Sequence, residues 1–162
     1  MTETVTRNQV ANFLNTTPTA AATYNIIGDG VTSLSPNMNP KVLDEHYIHL
    51  ASGTKIVTGY APDAPVEMTA KFGDPVYDFV MTLRKTLAVG AAAETDMVEV
   101  FLYETEVAGA WPALQWGVAI QVDSGPGGEG GDGAKLGYTI LYNGEPTPGM
   151  FDPETKAFTP DS

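Results

Sequence analysis

The chain has 162 residues, 43% hydrophobic and 17% charged, which suits one folded domain with a real core and excludes a disordered polymer. Its net charge is −12 with only 8 Lys and Arg, too few cations to neutralise phosphates, so ordinary nucleic-acid binding is excluded and DNA would be repelled. Cysteine is absent, which rules out disulfides, thiol catalysis and zinc–thiolate sites.

The start, MTETVTRNQVANFL, lacks the basic and apolar segments of a signal peptide, so cytoplasmic synthesis without classical export is expected. No run approaches the ~20 apolar residues of a membrane span, and no membrane partner is expected. Residues 1–16 read as an N-terminal arm. Val10, Phe13 and Leu14 have the i, i+3, i+4 spacing of a short helical turn, too small to fold unless it docks on something larger. Residues 16–23 form a Thr/Ala/Pro linker. Residues 24–27 make a short strand, which Gly28, Asp29 and Gly30 turn. The stretch 31–40 is too long for a hairpin turn and is expected to touch another body.

Residues 47–50 read as extended, Ser52 and Gly53 turn the chain, and 55–59 return. A second loop, 59–65, carries Pro62 and Pro65. Residues 66–72 alternate as a half-buried strand: Val66, Met68, Ala70 and Phe72 against Glu67, Thr69 and Lys71. An amphipathic helix then covers about 74–89. Asp74 is its N-cap, because a carboxylate accepts the orphan N–H groups of the first turn, and Pro75 sits at N1, where it forfeits no bond. Val76, Phe79, Val80, Leu83 and Leu87 form one apolar stripe. Arg84 and Lys85 suit the negative end of the helix dipole, and Gly90 stops it.

Residues 97–103 are apolar on both faces, the mark of a central strand covered on each side. In 114–123, Leu114, Trp116, Val118, Ile120 and Val122 form the core face. Gln115, Gly117, Ala119, Gln121 and Asp123 form a small, nearly uncharged opposite face. Residues 124–133 are a Gly-rich hairpin tip, and 135–142 return with Leu136, Tyr138, Ile140 and Tyr142 inward. Residues 143–162 are turn-rich, with Phe151 and Phe158 as anchors. The expected fold class is therefore mainly β (α+β), a β-sandwich or barrel-like domain over 17–149 with one flanking helix, and a C-terminal segment at 150–162.

No catalytic residue, cofactor site or metal site is expected, and the chain does not read as an enzyme. The tip fits G-x-G-x-x-G at 125–130, but no helix follows and Glu129 and Asp132 would repel phosphate. It also fits one unit of a calcium β-roll, which works only in tandem. His46 and His49, three apart on a strand, would face opposite ways. Glu104 and Glu106 could share a strand face, but such pairs are commonplace in acidic chains.

Several ordered segments resemble the major tail (tail tube) proteins of long-tailed, non-contractile bacteriophages. They are Arg7-Asn8-Gln9-Val10, Phe13-Leu14-Asn15, Tyr24 to Val31 (YNIIGDGV), Asn39-Pro40, Glu45-His46-Tyr47-Ile48, Thr58 to Pro62 (TGYAP) and Gly73 to Phe79 (GDPVYDF). The resemblance implies a barrel-like domain whose copies form hexameric rings, stacked into a tube that conducts the genome during ejection. It implies a virion tail protein assembled in the host cytoplasm. The implied partners are itself, the tail tip and tail terminator proteins, and, inside the bore without specific binding, the tape-measure protein and genomic DNA. On that reading the bore is lined by Gln115, Gly117, Ala119, Gln121 and Asp123, with Glu67 and Thr69 as the other choice. Ring-stacking contacts fall to the loops that carry Gly28, Asp29, Asn37, Asn39, Tyr60 and Asp63. The competing expectation is a β-sandwich module that binds carbohydrate or protein on a virion or cell surface; the exposed aromatic platform it needs is not evident, because Trp116 reads as core.

Overall fold

The computed structural model describes residues 2–161. In chain order the elements are β1 (Val10–Asn15), β2 (Tyr24–Ile26), β3 (Val31–Leu34), β4 (Pro40–Glu45), β5 (Thr54–Tyr60), β6 (Asp63–Thr69), α1 (Pro75–Thr86), β7 (Glu94–Phe101), β8 (Trp111–Gly127), β9 (Lys135–Asp152) and β10 (Ala157–Pro160). The main sheet runs β2-β1-β7-β8-β9-β6-β3, with β10 added to β9, and curls into a half-barrel. β4 and β5 form a separate two-stranded ribbon. The fold is mainly β with one α-helix, as the sequence predicts.

Strict alternation on the two long strands sets the core. Trp116, Val118 and Ile120 of β8 and Leu136, Tyr138, Ile140 and Tyr142 of β9 are buried on one face, where α1 covers them with Val76, Val80 and Leu83. Burying side chains of this size stabilises the fold by about 1.5–3 kcal/mol each. A smaller cluster of Phe13, Tyr24, Val98, Val100, Ala113 and Phe151 lies on the opposite face of β1 and β7. Met97 and Val98 are both fully buried, in different clusters, so β7 is covered on both sides as expected.

α1 begins as the sequence dictates: Asp74 Oδ2 accepts the Tyr77 N–H at 3.0 Å and Pro75 occupies the first turn. It ends earlier than predicted. Leu87 takes the left-handed stop position (φ 50°), and Gly90, itself left-handed at φ 61°, lies three residues beyond the stop. The Leu87 N–H donates to Arg84 O at 3.2 Å and the Ala88 N–H to Leu83 O at 3.0 Å, the paired bonds of a Schellman stop. Leu87 therefore leaves the apolar stripe.

Other expectations are corrected. Residues 10–14 are not a helical turn but part of β1, which pairs with β7 from Val10↔Phe101 to Leu14↔Met97. Phe13 and Leu14 feed opposite clusters, so period two wins over the coincidental helical spacing. The stretch 31–40 opens with β3 rather than running as loop. Residues 47–50 form a turn at the ribbon tip, with the Leu50 N–H donating to Tyr47 O at 3.0 Å. The strand falls instead on β4. The alternation of 66–72 stops at Thr69, and Phe72 is almost fully exposed, because the chain is already reversing toward the helix cap. The Gly-rich tip is shorter than expected, since β8 runs on to Gly127 through two register shifts. The region after 142 is not mainly turns: β9 continues to Asp152, and β10 returns along it with Phe158 opposite Phe151. A Cβ at Gly149 would lie 2.4 Å from Thr159 O, so only glycine lets β10 approach this closely.

Candidate assembly surfaces

The β4–β5 ribbon is held at its root and bare elsewhere. Asn37 and Asp63 exchange backbone hydrogen bonds at 2.7 and 3.0 Å, and Asn37 Nδ2 donates to Asp63 Oδ1 at 3.3 Å. Asn39, at φ 46°, donates from Nδ2 to Ala61 O at 3.0 Å; asparagine tolerates that backbone better than most residues. Tyr60 stands opposite Pro40. Four predicted stacking residues, Asn37, Asn39, Tyr60 and Asp63, thus meet as a clasp at the root. Gly28 and Asp29 lie apart from it in the β2–β3 turn, where Asp29 pairs with Lys71 at 3.0 Å.

Above the clasp, Val42 faces Val57 and Leu43 faces Ile56. Neighbours along a strand point to opposite faces, so each face of the ribbon carries one aliphatic pair. All four are exposed, at 53%, 53%, 44% and 49% respectively. At the tip Ile48 is fully exposed and Tyr47 and Leu50 largely so. The Tyr47 hydroxyl donates to Glu45, which raises the phenol pKa, and His46 Nε2 lies 2.8 Å from Leu50 O. A lone two-stranded ribbon is marginal in water, so these exposed aliphatics make it a candidate contact surface. The stacking residues expected from the sequence lie at this root and in the β2–β3 turn and do not include these aliphatics. The signal was present: Val42-Leu43 and Ile56-Val57 are adjacent apolar pairs, which load both faces of a strand.

The second surface is the outer face of β8 and β9. Gly117, Gln121 and Asp123 are exposed and Ala119 half-buried. Asp123 accepts from Gln121 Nε2 and from Thr139 Oγ1, both at 2.6 Å, so its carboxylate is fixed along the sheet. Gln115 stands on the same face but is tied into a polar knot. It donates to the Tyr24 hydroxyl at 2.9 Å and to Asp96 at 3.2 Å. Asp96 also accepts from Asn15 Nδ2 at 2.8 Å and from the Tyr24 hydroxyl. Burial, and then the bond to Asp96, push the Tyr24 phenol above its usual range. Glu67 is exposed on β6, and Thr69 Oγ1 accepts from Lys135 Nζ at 2.8 Å.

A third feature is a mixed groove of about 490 Å³ between the end of α1 and β8, lined by apolar Leu83, Leu87, Val89, Ile120 and Val122 and by polar Gln121, Asp123 and Ser124. Arg84 crosses it and donates from Nε to Gly125 O at 2.6 Å. Leu87 and Val89 are each 80% exposed. Among the described residues no three His, Asp or Glu side chains gather into a metal-binding cluster.

No known family profile and no characterised protein sequence matches the chain. Solved structures do. A chain from the tail of an empty GTA particle, refined with helical C6 symmetry, superposes with a TM-score of 0.63 at 11% identity, over 89% of this chain and 98% of that one. A chain from the sheath–tube complex of an extracellular contractile injection system (PVC, extended state) gives 0.51 at 9% identity, over 92% of each chain. One from the six-fold symmetrised baseplate of the anti-feeding prophage gives 0.51 at 11%, over 94% and 98%. At these identities the likeness is one of fold. It covers nearly the whole of each chain, and all three neighbours belong to multi-subunit tail or injection assemblies.

Proposed function

We propose that the chain is a structural subunit of a phage tail tube. On this reading copies associate into six-membered rings, and the rings stack around a bore that conducts linear DNA. The observation that carries the reading is the β4–β5 ribbon, bare and aliphatic on both faces, projecting from a fold shared with chains of tail assemblies. A ribbon that needs cover on both sides is an arm for neighbouring copies. The clasp of Asn37, Asn39, Tyr60 and Asp63 sets its angle, and Gly28 and Asp29 belong to a separate contact at the β2–β3 turn.

The outer face of β8 and β9 is the bore wall. Gly117, Ala119 and Gln121 offer no cation to a phosphate, and Asp123 repels one. Gln115 supports this wall from the knot beneath it. The tape-measure protein and the genome pass inside without specific binding, and the tail tip and terminator proteins cap the ends. The assignment to a long, non-contractile tail rests on the sequence motifs; the fold itself also occurs in a contractile injection system. Electron microscopy of concentrated protein, with light scattering on dilute protein, tests the proposal. Rings or hollow tubes are expected. A chain that stays monomeric even with an added tail tip would overturn it.

A further inference from the structure

We propose that the groove between the end of α1 and β8 is the seat for the ribbon tip of a second copy. The inference rests on the tail-tube reading and names which surface meets which. Leu87 holds the helix-stop position that glycine normally fills, at φ 50°, and its side chain is 80% exposed. A leucine there strains the backbone and gains nothing within its own chain. Val89, two residues on, is equally exposed. Together they extend the apolar wall of Leu83, Ile120 and Val122 out to the surface.

The occupant is found on the same molecule. Ile48 is fully exposed, so it touches nothing in its own copy, and Tyr47 and Leu50 flank it. This aliphatic and aromatic knuckle suits the apolar part of the groove, Leu87, Val89 and Val122; Arg84, Gln121, Asp123 and Ser124 supply its polar part. Charge agrees with shape. Arg84 lines the groove and Lys85 follows it in the last turn of α1, two of only 8 cations in the chain. Asp123, the acid that lines the groove with Arg84, is already held by Gln121 and Thr139. Behind the tip stand Asp44, loosely paired at 4.0 Å with exposed Lys55, and Glu45, which accepts from the Tyr47 hydroxyl and keeps its charge. Each copy offers one tip and one groove, on different parts of its surface. Such a contact is heterologous and propagates from copy to copy instead of closing as a dimer.

The absence of cysteine makes the test clean. One batch carries Ile48→Cys and another Leu87→Cys; the two are mixed, assembled, and treated with a short bis-maleimide, whose two ends each add one cysteine thiol. A covalent dimer with one copy of each kind is expected. Leu87→Gly separates the two roles of the residue. It is expected to raise the monomer Tm by about 2–4 °C, because the strain is relieved, and to raise the concentration needed for assembly by about tenfold. Tubes without the mixed dimer, or Leu87→Gly tubes at the wild-type concentration, overturn the docking and leave the tube reading standing. Wild-type protein that never assembles, even on a tail tip, removes both.

Discussion

Glu99 is a half-buried acid in the middle of the sheet. It lies on β7 two residues from buried Met97, opposite Asn12 of β1 and Leu114 of β8. Burial raises its pKa, and the Arg7 guanidinium only partly opposes that. Around that end of the core, Asn12 Oδ1, Trp116 Nε1 and the Tyr142 hydroxyl are buried without partners, and Tyr142 is itself raised by burial and then by the Glu99 charge. An acid whose folded pKa exceeds its unfolded one favours the folded state while protonated. That advantage is complete below the ordinary carboxylate range and is lost as pH rises through the folded pKa. Glu99→Gln is therefore expected to raise Tm by a few degrees near pH 8, with the gain fading toward about pH 4. Thermal unfolding across that range checks it; a gain independent of pH would show that the charge is not the cause. The sequence made β7 legible as doubly covered, because apolar residues fill both faces. It did not show that Glu99 shares the covered side, since that depends on β1 arriving from more than 80 residues away.

At the scale of elements, interior and interface substitutions should separate cleanly. Phe151→Ala removes a fully buried ring that lies 4.6 Å from Phe13 and is expected to cost about 3–5 kcal/mol in monomer stability, read by denaturant unfolding. Val42→Ser with Ile56→Ser strips one side chain from each face of the ribbon. It should move monomer stability by only about 0.5 kcal/mol yet abolish tubes under the electron microscope. If both variants lost stability equally, the ribbon would be packed against its own chain. The elements the sequence shows best are those that bury their own pattern: α1 with its Asp74 cap, β8 and β9 with their alternation. The return strand of the ribbon, 55–59, falls within β5 as expected, but its first strand was placed wrongly because strand preference reflects fit to a covered face. The ribbon's faces are uncovered within the chain, so Tyr47 to Leu50 looked more strand-like than Pro40 to Glu45. The face of Gly117, Ala119, Gln121 and Asp123 was legible because alternation continues whether or not a face is buried. The knot around Gln115 was not, for it needs Tyr24 and Asp96 brought together by the sheet.

For the whole molecule, charge opposes association. Each copy carries −12, and copies brought side by side repel over a Debye length of about 10 Å at 0.1 M salt. Apolar contacts must outweigh that repulsion, so assembly is expected to need less protein as monovalent salt rises from about 0.05 to 0.5 M. Light scattering against salt measures it. Assembly that weakened with salt would mean that ion pairs such as Arg84 with Glu45 dominate the contact.

The β8–β9 ribbon has a mechanical consequence. Its strands hold 17 and 18 residues, roughly 55–60 Å at ~3.3 Å per residue, and they are paired from Trp111↔Phe151 to Gly127↔Lys135. A pull along these strands loads the ladder in shear, so many bonds resist together; a pull across them peels one bond at a time. The subunit is thus stiff along one direction and compliant across it, as a slat is in a barrel that must flex without stretching.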